Sequence, residues 1–157
     1  MELDFNRQWL IHKFEEIRRR TLNVLEQLND EQVNWQPHES SFSISTLVRH
    51  IEGNIKERVA KGILRHDIQR NREEELTQIF VSRDDLMRIV IDRLQFVIDT
   101  IHSMSTEAFE ETQSVRGNDK SNLEILHQCA THYSEHMGQI FYIAKQNLQE
   151  KYKSTSI

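Results

Sequence analysis

The chain has 157 residues, with 20 Lys and Arg against 25 Asp and Glu and a net charge of -5. That length suits one domain with a core large enough to fold without staples. The interspersed charges give no basic face for nucleic acid, the single cysteine, Cys129, excludes an internal disulfide, and no apolar run approaches the roughly 18 residues of a membrane span.

The first residues, MELDFNRQWL, lack the basic and then apolar pattern of a signal peptide. A cytoplasmic protein without nucleic-acid or membrane partners is therefore expected. Four Gly and one Pro leave few turns, which favours long helices. Apolar residues at Leu10, Phe14, Ile17, Val24, Leu25 and Leu28 recur at steps of three and four, and predict a first helix over residues 4–28. Arg18, Arg19 and Arg20 fall on its solvated face. Residues 29–41 hold Pro37 and read as a connection with at most one helical turn.

Ser43 is placed to cap a second helix, whose stripe of Ile44, Leu47, Val48, Ile51, Ile55 and Val59 ends near Gly62. Residues 64–80, rich in Arg and Glu, read as a loop or a mobile, partly helical excursion. A third helix is predicted over residues 82–104, with Met87, Val90, Ile91, Leu94, Ile98 and Ile101 facing the core. Residues 105–120 read as a polar connection. The fourth helix opens on a capping box, Ser121-Asn122-Leu123-Glu124, and runs to about Gln149 behind Leu126, Ala130, Tyr133, Met137, Ile140 and Ala144. The expected architecture is all-α, a four-helix bundle. It forms a single domain over residues 1–150 with a frayed tail at 151–157.

His132 and His136 are four apart on the last helix, so their side chains share one side, about 5–6 Å apart at Cβ. Two imidazoles at that spacing can converge on one ion. Such pairs also arise by chance and then bind nothing. His50 adds weight, because it sits at the border of the second helix's apolar face, and bundles build metal sites from inward side chains on facing helices. Three neutral imidazoles would leave one tetrahedral position open. His12, His38, His66, His102 and His127 read as surface or structural residues. Cys129 reads as a buried structural thiol. Asn54 and Arg58, one turn apart beside His50, are candidate substrate-binding residues for an anionic ligand, with an interhelical hydrogen bond as the plainer reading. No phosphate loop, HExxH motif or nucleophile elbow occurs.

Asn34-Trp35-Gln36-Pro37, the run Ser43-Ile44-Ser45-Thr46-Leu47-Val48-Arg49-His50-Ile51-Glu52-Gly53-Asn54, and His132-Tyr133-Ser134-Glu135-His136-Met137-Gly138-Gln139-Ile140 together resemble the DinB-like superfamily. The order and separation of these motifs carry the likeness along nearly the whole chain. The resemblance implies a DinB/YfiT-like bundle in which His50, His132 and His136 hold one divalent transition metal, zinc or nickel. It further implies a homodimer and a metal-dependent activity. The activity would be a thiol-dependent S-transfer using a low-molecular-weight thiol such as bacillithiol, mycothiol or glutathione, or a related hydrolase-like reaction. A non-catalytic metal- or ligand-binding module with a stress-related role is the alternative. No residue stands out as a general base.

Overall fold

The computed structural model describes residues 2–156. Four long helices make the bundle: α1 (Glu2–Leu25), α3 (Ile44–Ile55), α5 (Arg83–Ser103) and α7 (Asn122–Leu148). Three short helices fill the connections: α2 (Asp30–Asn34), α4 (Arg72–Glu75) and α6 (Thr106–Glu110). α1 packs against α5 and α7, and α3 packs against the same two. The first two long helices therefore lie across the bundle from each other, which needs crossing connections rather than simple up-and-down loops.

Side-chain caps fix where the helices begin. Ser43, Ser82, Ser105 and Ser121 each accept a hydrogen bond from a backbone N–H of the first turn. Asn29 and Gln32 form a reciprocal capping box that creates α2 inside the predicted connection. The core is the continuous apolar interior that the helical periodicity describes, with Phe14, Leu25, Ile55, Leu86, Leu126 and Tyr133 fully enclosed. Ile91 is an exception. It is 44% exposed, because the inward arc of α5 is held by Leu86, Val90, Leu94, Val97, Ile98 and Ile101. Ile91 lies one residue, about 100° of helix turn, beyond Val90.

The segment 105–120 is not the plain polar connection its composition suggests. After α6 comes a β-hairpin, β1 (Thr112–Val115) paired antiparallel with β2 (Asn118–Ser121), in the register Val115 to Asn118 and Thr112 to Ser121. Its two-residue turn, Arg116-Gly117, has positive φ at both positions, 51° and 80°. That is the backbone of a primed turn, whose twist suits a hairpin.

Gln113 ties the hairpin to the bundle. Its buried Nε2 donates to the Arg58 carbonyl at 3.2 Å and to Asn122 Oδ1 at 3.1 Å, while Asn122 Nδ2 donates to the Ala108 carbonyl at 2.8 Å. The Arg58 carbonyl is available because α3 widens into a π-helical turn, Lys56–Lys61, whose Gly62 and Leu64 amides reach back five residues. Gly62 makes the approach possible, since a Cβ there would stand 2.1 Å from Gln113 Oε1.

Within the segment read as frayed, Lys153 and Thr155 are held beside α1 and the turn that follows it. Lys153 N donates to Gln27 Oε1 at 2.8 Å, Gln27 Nε2 donates to the Lys153 carbonyl at 3.0 Å, and Arg20 Nε reaches Thr155 Oγ1 at 3.3 Å. No helix among the described residues is long and apolar enough to cross a membrane. Gln113→Leu keeps the bulk but leaves the Arg58 carbonyl and Asn122 Oδ1 without this donor. Urea denaturation is expected to show a loss of about 1–3 kcal/mol, with the slope of the transition unchanged.

Candidate metal centre

α3 and α7 pack side by side, and their facing edges bring His50, His132 and His136 together. One ligand atom from each imidazole lies within 4.8 Å of the others. The His132 and His136 Nε2 atoms are 2.8 Å apart. Nitrogens in a tetrahedral zinc site, about 2.0–2.1 Å from the ion, stand about 3.3 Å from one another. The three rings thus lie within reach of one coordination shell.

The hydrogen bonds around the rings decide which nitrogens are free. Glu75 Oε1 stands 2.8 Å from His50 Nδ1. A carboxylate there accepts a hydrogen bond from Nδ1–H and so leaves the Nε2 lone pair for a metal. The same carboxylate is gripped by Arg70, with Nε at 2.9 Å from Oε2 and Nη2 at 2.6 Å from Oε1. At His136, Gln139 Oε1 lies 2.7 Å from Nδ1 and accepts a hydrogen bond from Nδ1–H, which again leaves Nε2 as an acceptor. His132 Nε2 then supplies the proton in the short contact between the two rings, a contact that a cation would replace.

Burial keeps His50 and His132 neutral. His50 is held below the ordinary imidazole range, first by burial, with the Glu75 hydrogen bond pulling only partly the other way. His132 is pushed down to about 4, by burial first and then by His136, His50, Arg70 and Arg72. Burial would raise the Glu75 carboxyl, but hydrogen bonds from Arg70 and His50 outweigh it and hold it below the usual carboxylate value. Both shifted imidazoles are thus unprotonated at neutral pH, the form a metal requires.

Glu75, Arg70 and Gln139 were not among the expected site residues. Glu75 comes from the charged segment read as a loop or mobile excursion. A four-residue helix, α4, capped by Asn71, holds it in place. Its inward reach depends on Gly53, where a Cβ would stand 1.8 Å from Glu75 Oε2. An Asn capping a turn that ends in Glu was visible in the sequence, but nothing local said that this Glu turns inward.

The other expected residues lie next to the triad. Asn54 is buried, and its Oδ1 accepts from Tyr133 Oη at 2.8 Å, with Cys129 Sγ at 3.9 Å. This is the interhelical hydrogen bond offered above as the plainer reading. Arg58 is half-buried on the π-helical turn. It shares a cavity of about 590 Å³ with Asn54, Cys129 and His132. Burial pushes the Cys129 thiol up to about 11, so it is no thiolate at neutral pH. His127 is structural: it stacks on Trp9 at 5.3 Å, and its Nε2 meets Asn6 Oδ1 at 2.8 Å.

The family model described as "Protein of unknown function (DUF1572)" matches residues 4–157. No curated protein matches the chain. Among solved structures, a DinB-like protein (YjoA) from Bacillus subtilis superposes with a TM-score of 0.64 at 15% identity, over 95% of this chain and 96% of the other. A DinB-like protein from Bacillus cereus gives 0.69 at 15% identity over 88% and 90%. A conserved protein from Enterococcus faecalis gives 0.70 at 12% identity over 88% and 94%. These likenesses show that the bundle has the DinB-like fold.

Two outcomes follow from the geometry. Gly53→Ala should expel the Glu75 carboxylate from His50 and weaken zinc binding by about 10- to 100-fold, read by competition with a chromophoric chelator. The second concerns acid stability of the metal-free chain. An imidazole with a depressed folded pKa contributes stability above its unfolded value of about 6.5. That contribution is lost as pH falls toward about 4, the His132 value, because the unfolded chain takes up the proton first. The urea midpoint should therefore drop through that window, and less steeply in His132→Ala.

Proposed function

The chain belongs to the DUF1572 family, and we propose that it is a metal-dependent enzyme of DinB-like fold whose ion is held by His50, His132 and His136. The observation that carries this reading is the pair of Nδ1 nitrogens turned outward, toward Glu75 from His50 and toward Gln139 from His136, which leaves the inner nitrogens as ligands. A carboxylate buried beside a histidine in this way is a familiar support for a metal ligand. The donors are all imidazole nitrogens, which suits zinc or nickel. Affinity alone would favour copper, so supply in the cell decides the occupant.

A divalent ion with three protein ligands keeps a position for a water or a thiol and lowers its pKa. The most fitting chemistry is transfer of a low-molecular-weight thiol such as bacillithiol to an electrophile, or a related hydrolysis. The residues around the ion support that division of labour. Cys129 is buried with a raised pKa and cannot serve as the nucleophile. Tyr133 is fully buried, its hydroxyl is committed to Asn54, and its pKa is raised by burial, so it keeps its proton. Asn54 and Arg58 contribute to the wall of the cavity beside His132 and are candidates for contact with the substrate. The reaction would take place in the cytoplasm, and a homodimer is part of the same reading.

Elemental analysis of the purified chain should find about one transition metal per chain, and little in His132→Ala. The metal-loaded chain should then couple monochlorobimane to one of several low-molecular-weight thiols, and the stripped chain should not. Absence of metal in the parent, even after incubation with zinc and nickel, would defeat the reading. Metal with tight thiol binding but no turnover would leave a non-catalytic binding module instead.

A further inference from the structure

The cavity beside His132 has a composition that the metal site alone does not require. Its far wall is the β-hairpin, and three cations face it: Arg58 from the π-helical turn, Arg116 from the hairpin turn and Lys120 from β2. Among the described residues none of the three side chains forms an ion pair. The one carboxylate on the described wall is Glu135. A chain of net charge -5 has acids to spare, and elsewhere it pairs Arg70, Arg83, Arg88 and Arg93 with them. Three unpaired cations around one cleft repel one another, and an anion relieves that repulsion.

The backbone holds the cluster in place. The π-helical turn is joined through its Arg58 carbonyl to Gln113 of β1, which ties the backbone at Arg58 to the hairpin. Arg116 sits at φ 51°, a conformation that Gly, Asn and Asp reach more easily. An arginine accepted at that cost points to a use for its side chain. His132, one of the three candidate metal ligands, lines the same cavity, so the cations and the centre share one space.

We infer that this cleft binds the acidic end of a small-molecule ligand, its carboxylate or phosphate oxygens held by Arg58, Arg116 and Lys120 while its other end lies toward His132. Guanidinium groups suit such oxygens because they offer paired donors in one plane. As a statement about substrate class it rests on the metal-enzyme reading. The anion site itself stands on the three cations.

The test has two arms. The first uses the full chain stripped of metal, titrated at low ionic strength with succinate and, separately, with inorganic phosphate, and followed by amide NMR. Saturable shifts are expected from at least one anion, centred on Arg116, Gly117 and Lys120. They should weaken as salt is added. Arg116→Gln/Lys120→Gln should lower the affinity roughly tenfold or more, with a spectrum otherwise that of the folded parent. Should neither anion bind, or should binding survive the double substitution, the inference is overturned. This arm contains no metal, so it stands or falls apart from the metal reading.

The second arm compares 2-mercaptosuccinate with 2-mercaptoethanol on the zinc-loaded chain. The acidic thiol is expected to bind about tenfold more tightly or better, and the double variant should remove that preference while leaving 2-mercaptoethanol unchanged. Equal affinities in the parent would overturn the assignment of cleft and centre to one ligand. Failure of the chain to hold zinc would instead defeat the metal reading and leave the first arm to decide the anion site.

Discussion

A carboxylate taken out of water must be given back what it lost, and Glu75 receives it from two sides. Arg70 grips both oxygens, and the His50 Nδ1 proton supplies a third contact. Burial alone would favour the protonated acid, yet the partners keep it ionised. Removing Arg70 would leave the buried carboxylate without its charged partner, which costs several kcal/mol. The arrangement fixes the tautomer of His50 and locks the segment around α4 onto α3. Only the missing side chain at Gly53 lets the carboxylate come that close.

Much of the bundle was legible because helices announce themselves through spacing. The stripes on α3 and α7 and the capping box at Ser121 lie where their apolar and polar patterns place them. His132 and His136 were legible for the same reason, since a separation of four needs only helical geometry to bring two rings together. His50 was harder, because its meeting with α7 depends on how the helices pack. Its place at the border of the second helix's apolar face suggested that link, and the DinB-like resemblance implied the same three residues. Glu75 and Gln113 were not legible at all. Each does its work through one long-range hydrogen-bond partner or two, in segments whose composition is polar, and periodicity says nothing about a polar residue that turns inward. Ile91 shows the converse error, an apolar residue one step off the arc that faces the core.

The irregular parts of the fold are concentrated near the histidines. The π-helical turn follows directly after the segment of α3 that carries His50 and Asn54, and the hairpin is inserted just before α7, which carries the other two. A regular α-helical turn would leave the Arg58 carbonyl engaged within its own helix. Widening the turn frees that carbonyl for Gln113 and lets a hairpin from outside the bundle close one wall of the cavity. The bundle supplies rigidity, and the departures from regularity shape the opening.

The positions of the histidines along the chain have a consequence for biogenesis. His50 and the pair at His132 and His136 are separated by more than half the chain's length. During synthesis the first ligand leaves the ribosome well before its partners, so the nascent chain carries an incomplete donor set until α7 emerges. An ion that joins all three imidazoles clips together two distant segments and removes the freedom of the long intervening stretch. Metal loading at these three residues would therefore be a late event, and once complete it would act as a reversible cross-link that reports whether the last helix has docked.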